Sequence, residues 1–106
     1  KEWLSDEKGL TGAVLEDPRE GSTEEIAATG AFIAIGHKPI TSFLGGQVDT
    51  DDNGYIIHQS HTMTSVDGVF AAGDVVDTRY KQAITAAGMG CQAAMDAEKW
   101  LEENVH

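Results

Sequence analysis

Two short groups of residues have the types and spacing to do chemistry: Gly73-Asp74, and Lys81-Gln82-Ala83 seven residues further on. The first closes an apolar run, Val69-Phe70-Ala71-Ala72. It therefore reads as a buried strand, a glycine that lets the chain turn, and an acid at the strand's carboxyl end. In open α/β sheets, ligands bind beyond the carboxyl ends of strands. Asp74 stands where a carboxylate accepts hydrogen bonds from ligand hydroxyls, and Gly73 lets a backbone N–H approach a phosphate with no Cβ in the way. The second group opens a helix. Its unpaired N–H groups and the positive end of the macrodipole favour an electron-rich heterocycle that gains negative charge on reduction. Lys81 adds one formal charge there. On the residues alone, Asp74 equally suits a plain role as the cap of a turn or of the following helix.

Elements must hold these groups in place. Leu10 to Asp17 is apolar and β-branched at its centre; Pro18, Gly21 and Ser22 supply turn residues, and Glu24 to Ala28 returns, which predicts a β-hairpin with a polar tip. Gly30 to Gly36 and Gly68 to Gly73 are unbroken apolar runs bracketed by glycine, and are expected as strands covered on both faces. Asp51-Asp52-Asn53-Gly54 predicts a tight turn before a strand at Tyr55 to His58. From Gln82 to about Asn104, Ile84, Ala87, Cys91, Ala94, Met95 and Leu101 recur at helical spacing, opposite Asp96, Glu98, Lys99, Glu102 and Glu103. They predict an amphipathic helix with that apolar stripe in the core. Gly88 and Gly90 inside it suggest close packing against another element or a ligand.

Composition narrows the function classes. The chain has 106 residues, 41% of them hydrophobic, enough for one small domain. Seven Lys+Arg against 18 Asp+Glu give a net charge of −11, which disfavours nucleic acid and anionic membrane surfaces; solvation is the ordinary use of such an acid excess. No apolar run reaches membrane-spanning length, so a soluble, cytoplasmic protein is expected. Cys91 is the single cysteine, which excludes an internal disulfide or Cys-x-x-C pair and points to a packing role. His37 beside Gly and Pro reads as a surface or hinge residue. His58 and His61 lack further ligands at metal spacing, so no metal site and no catalytic residue are assigned. Trp100 and Leu101 read as core contacts of the last helix.

Phe32-Ile33-Ala34-Ile35-Gly36-His37-Lys38-Pro39, Gly68 to Asp74, Lys81 to Gly88 and Cys91-x-Ala93-Ala94-x-Asp96-Ala97-Glu98 together resemble, in order and spacing, the C-terminal part of bacterial-type thioredoxin reductase. The resemblance runs from the hairpin to Leu101. It implies an α/β fold: an incomplete, Rossmann-like FAD-binding domain fragment with a β-hairpin, buried strands and a C-terminal helix. Residues 1–35 would end an NADPH-binding domain, residues 36–106 would form the C-terminal part of the FAD-binding domain, and Gly36 to Pro39 would mark the crossover. Asp74 would bond the ribityl chain of FAD and Gly73 to Val75 would lie near its pyrophosphate. Gln82 and Ala83 would present N–H groups to the flavin's N1/O2 edge, with Lys81 in place of the arginine often found there. Lys keeps the charge but loses the planar fork.

The family passes electrons from NADPH through FAD to a Cys-x-x-C disulfide and then to a thioredoxin-like protein. Neither that dithiol nor a G-x-G-x-x-G loop is present here; Gly12, Gly30, Gly36, Gly45 and Gly46 do not make the spacing. The chain alone is therefore expected to lack reductase activity, to bind FAD weakly or not at all, and to be a fragment or truncated product. Unpaired strand edges lead to an expected homodimer. Two further readings stay open: a non-catalytic assembly or binding domain, and the same segment of a ferredoxin-NADP reductase of this fold.

Overall fold

The computed structural model describes residues 1–105. The chain forms two compact units, Lys1–Gly36 and His37 onward. The fold class is mixed α/β: a three-stranded antiparallel sheet in the first unit, and turns leading to one long helix in the second.

In the first unit the expected hairpin is β2 (Gly9–Glu16) paired with β3 (Thr23–Ala27), in the register Gly12↔Ala27 to Glu16↔Thr23. A further strand, β1 (Glu2–Asp6), pairs on the other side of β2 with a bulge at Leu4/Ser5. Its Lys-Glu-Trp-Leu-Ser-Asp sequence carries no period-two alternation, which is why sequence reasoning missed it. Each turn is built on an aspartate: Asp6 accepts from the Lys8 amide at 2.8 Å and Asp17 from the Arg19 amide at 2.7 Å. Gly12 has to be glycine, because a Cβ there would run into the Ile26 carbonyl oxygen.

The apolar run Gly30 to Gly36 departs from expectation. It is not a covered strand: it has no ladder partner, and Phe32 is 101% exposed and Ile35 94%. Gly68 to Gly73 likewise makes a single bridge, Met63↔Phe70, and Tyr55 to His58 only the bridge Thr50↔Ile56. A strand needs neighbours to pair its N–H and C=O groups along its length, and the described residues offer the last two runs only single bridges and the first none. The Asn53-Gly54 turn does form, with Gly54 at φ +90° and the Asp51 carboxylate accepting from the Asn53 and Tyr55 amides, both at 2.9 Å.

The helix α1 (Ala83–Asn104) has the expected extent, and none of its residues is buried. Its predicted inner stripe faces outward: Ile84 is 82% exposed, Met95 64% and Leu101 51%, and Ala87, Cys91 and Ala94 are exposed too. The half-buried residues are instead Thr85, Ala86, Met89, Ala93, Asp96, Ala97 and Trp100. Polar anchors chose this face. Asp96 accepts from the amide and hydroxyl of buried Thr62, and the Trp100 indole N–H donates to Asp67 at 2.9 Å. The packing role expected of Cys91 and Leu101 is thus not met within this chain. No helix among the described residues is long and apolar enough to cross a membrane.

Glycines allow a direct test of this packing. Gly68 sits at φ +75° with its missing Cβ 3.1 Å from the Trp100 ring, whereas Gly88 and Gly90 have open space around them, contrary to the close contact expected there. Gly68→Ala should cost about 1–3 kcal/mol for the left-handed backbone and the contact. Gly90→Ala should instead stabilise α1 by about 1 kcal/mol, with chemical denaturation of the two variants as the measurement.

Candidate functional site

Gly73 turns the chain at φ +83° into a 3₁₀ turn, Gly73–Val75, which packs on the first turns of α1; the position its Cβ would take is 3.7 Å from Ala86 Cβ. Ala71, two residues earlier, is buried and fixed from two sides: its amide donates to Thr62 O at 3.0 Å, and its carbonyl accepts from His58 Nε2 at 2.7 Å. Asp74 is exposed, and among the described residues its carboxylate has no hydrogen-bond partner. It does not cap a turn or the helix. Val75 is half-buried, and its carbonyl accepts from the Ile56 amide at 2.9 Å.

The connection from this turn to the helix is organised by Asp77, which sequence reasoning overlooked. Asp77 is buried, and its carboxylate accepts from the amides of Arg79 (3.0 Å), Tyr80 (2.8 Å) and Lys81 (2.8 Å). These bonds, that from Tyr80 foremost and then those from Lys81 and Arg79, hold its carboxyl below the ordinary value of 3.8 against the opposing effect of burial; the Thr85 hydroxyl adds to them. An aspartate immediately before a polar Thr78-Arg79 pair is an Asx-turn signal that was available in the sequence.

The loop so fixed delivers Lys81 at φ +52°, a conformation uncommon outside glycine, and Gln82 as the N-cap of α1. The Gln82 amide donates to Thr85 Oγ1 at 3.1 Å and its side chain to Tyr80 O at 3.0 Å. Gln82 and Ala83 are exposed, and the N–H groups of Ala83 and Ile84 have no helical carbonyl behind them. The Lys81 ammonium lies above the Tyr55 ring, 4.9 Å from its centroid.

Gly73, Asp74 and Val75 thus sit against the helix that Lys81, Gln82 and Ala83 begin. The largest hollow, about 930 Å³, is lined by His37 to Ser42 and Asp51 to Tyr55 and contains none of the six expected residues. No cluster of three metal-ligating side chains occurs among the described residues. Chemically, the arrangement offers an unpartnered carboxylate, a glycine turn open to close approach, and free helix N–H groups. Those are an acceptor for hydroxyls and donors for an electron-rich ring.

Comparison with known proteins bears on what this arrangement serves. The model of the pyridine nucleotide-disulphide oxidoreductase family matches residues 3–90. A thioredoxin reductase of Streptomyces clavuligerus is 57% identical over 96 residues, covering 90% of this chain and 30% of that protein. One from Neurospora crassa is 54% identical over 105 residues, covering 97% of this chain and 31% of its own length. Among solved structures, the thioredoxin reductase of T. acidophilum superposes with a TM-score of 0.78 at 40% identity, over 92% of this chain and 32% of that one. The Lactococcus lactis enzyme also gives 0.78, at 36% identity. The chain spans about a third of the length of these relatives.

Asp77 gives the site a pH signature. Its folded-state affinity for protons is lowered, so its contribution is fully present above about pH 3.8 and is lost as pH falls below that value through the folded pKa. Asp96, lowered chiefly by the Thr62 hydroxyl and amide, acts with the same sign in the same window. Asp77→Asn should lower the melting temperature at pH 7 and flatten its acid decline; Asp96→Asn should remove a separate part of that decline. Thermal unfolding followed by circular dichroism from pH 3 to pH 7 checks both.

Proposed function

The chain belongs to the pyridine nucleotide-disulphide oxidoreductase family, and we propose that it is the C-terminal flavin-binding segment of a thioredoxin-reductase-like flavoprotein. One observation carries the reading: Asp74, the acid at the end of the Gly68 to Gly73 run, has no partner among the described residues and stands on a glycine turn packed against the N-terminal turns of α1. Six of the nine aspartates accept a hydrogen bond within the described residues, so an idle one at this position suits an outside donor.

The residues fit one wall of an FAD site. Asp74 would hold the ribityl hydroxyls and Gly73 to Val75 would admit the pyrophosphate. The Ala83 amide would face the flavin edge beside the Gln82 amide, which Thr85 Oγ1 engages at 3.1 Å until a flavin competes for it, with Lys81 supplying charge nearby. FAD would bring the two-electron chemistry that links NADPH to a disulfide and a thioredoxin-like protein in the full-length enzyme. This chain's part is to bind and orient, since its one cysteine cannot form the required dithiol and it has no G-x-G-x-x-G loop for the rest of the dinucleotide. Residues 1–35 are read as the end of the NADPH-binding domain, residues 36–106 as the C-terminal part of the FAD-binding domain, and the cytoplasm as the compartment.

A second reading, an assembly or binding domain, draws on the outward apolar residues Phe32, Ile33, Ile35, Ile84, Met95 and Leu101. Exposed apolar surface of this extent favours association, and a homodimer that covers part of it accompanies either reading.

Titration of ¹⁵N-labelled protein with millimolar FAD, followed by amide shifts, tests the flavin reading even for weak binding. Shifts confined to Gly73–Val75 and Lys81–Ile84 are expected. An unchanged spectrum would sink it in favour of the assembly domain. Sedimentation equilibrium should show a dimer forming as concentration rises; a monomer throughout removes the association claim.

A further inference from the structure

Lys81 is the residue that the flavin reading leaves least explained. Its backbone is in the left-handed region, held there by the bond from its amide to Asp77, and its side chain then runs to Tyr55 rather than into solvent. Backbone strain of this kind persists only where surrounding structure over-determines it. Tyr55 is built to receive the ammonium. The residue is 7% exposed, its amide is held by the Asp51 carboxylate at 2.9 Å, and its hydroxyl donates to His37 O at 3.3 Å. Main chain and ring tip are therefore both anchored, and one ring face is left for the cation.

We propose that Tyr55 is a positioning residue for the charge at the flavin edge: its fixed ring holds the Lys81 ammonium beside the start of α1, where the charge adds to the field of the helix N-terminus. The proposal rests on the flavin reading. A free lysine side chain samples many rotamers and spreads its charge over many positions in water. An ammonium seated on an aromatic face is confined and partly desolvated, so its field acts from one place. In a chain with 18 acidic and seven basic residues, a confined cation matters more than the presence of a cation. The same arrangement explains how lysine serves where a planar guanidinium is common. A point charge has no fork to orient it, and the ring supplies the orientation instead.

Two readouts test this. In the flavin-free protein, the Lys81 side-chain methylene protons should resonate upfield through the ring current of residue 55; Tyr55→Phe should keep that shift and Tyr55→Leu abolish it. In FAD titrations followed by amide shifts, Lys81→Gln should weaken binding roughly two- to sixfold. Tyr55→Leu should weaken it by the same factor, Tyr55→Phe should bind as the parent does, and Tyr55→Leu with Lys81→Gln should lose no more than Lys81→Gln alone. If Tyr55→Leu unfolds, fluorinated phenylalanines at position 55 serve, since they keep the ring's shape while withdrawing charge from its face. An absent ring-current shift in the parent protein, or losses that add in the double variant, overturns the proposal. A ring-current shift that persists while FAD perturbs no amide overturns the flavin reading instead, and the proposal with it.

Discussion

A single buried carboxylate sets the geometry of the region from residue 73 to residue 85. Asp77 gathers three consecutive backbone amides, those of Arg79, Tyr80 and Lys81, and meets the Thr85 hydroxyl from the first turn of α1. Backbone N–H groups in a connecting loop must be paired when they are withdrawn from water, and here one side chain pairs them all. The left-handed turn at Lys81, the entry of Gln82 as N-cap and the approach of the Gly73 turn to Ala86 all depend on it. Asp77 thus adds a hydrogen-bonded tie to the packing of the Gly73 turn on α1.

The same device recurs along the chain, and it changes how the acid excess is understood. Asp6, Asp17, Asp51 and Asp77 each accept from the amide two residues later, while Asp67 and Asp96 anchor α1 through Trp100 and Thr62. Much of the aspartate content is therefore structural rather than merely solvating. It has to be, because apolar burial is scant: Ala13, Val48, Tyr55 and Ala71 are the buried hydrophobic residues. Carboxylate-to-amide bonds hold this fold where a larger domain would use a core.

What could be read from the sequence follows the range of the interactions. The β2–β3 hairpin, the Asn53-Gly54 turn and the extent of α1 are decided by neighbours within a few residues, and each was legible. The apolar runs Gly30 to Gly36 and Gly68 to Gly73 were not, since a strand is a pairing and its partner is not encoded in its own residues. The packed face of α1 was misread for a related reason. Periodicity identifies the apolar side, but the contacts available here are polar ones, so the helix turned Asp96 and Trp100 inward and Ile84, Met95 and Leu101 outward. The six proposed site residues were singled out by their types and order, and they come together as two adjacent groups, Gly73 to Val75 and Lys81 to Ala83. Asp77 and Tyr55, which hold them, were missed because neither looks chemical by itself.

The outward stripe and the inward anchors together bear on what kind of segment this is. A helix that satisfied itself within its own unit would place its large apolar residues against that unit, because burial of a Leu or Ile side chain outweighs one side-chain hydrogen bond. Here the polar face is satisfied locally and the apolar face is left over. That division is what a helix shows when a second surface claims its apolar side. Asp74 follows the same logic in polar terms: with Asp49 and Asp52 it is one of three aspartates whose carboxylates have no partner among the described residues, and of these it alone stands on the turn packed against α1. The apolar surplus runs along α1 from Ile84 to Leu101, while the charged one, Asp74, lies by its N-terminus, where the proposed flavin wall would use it and the helix amides. The apolar face asks for protein beside it.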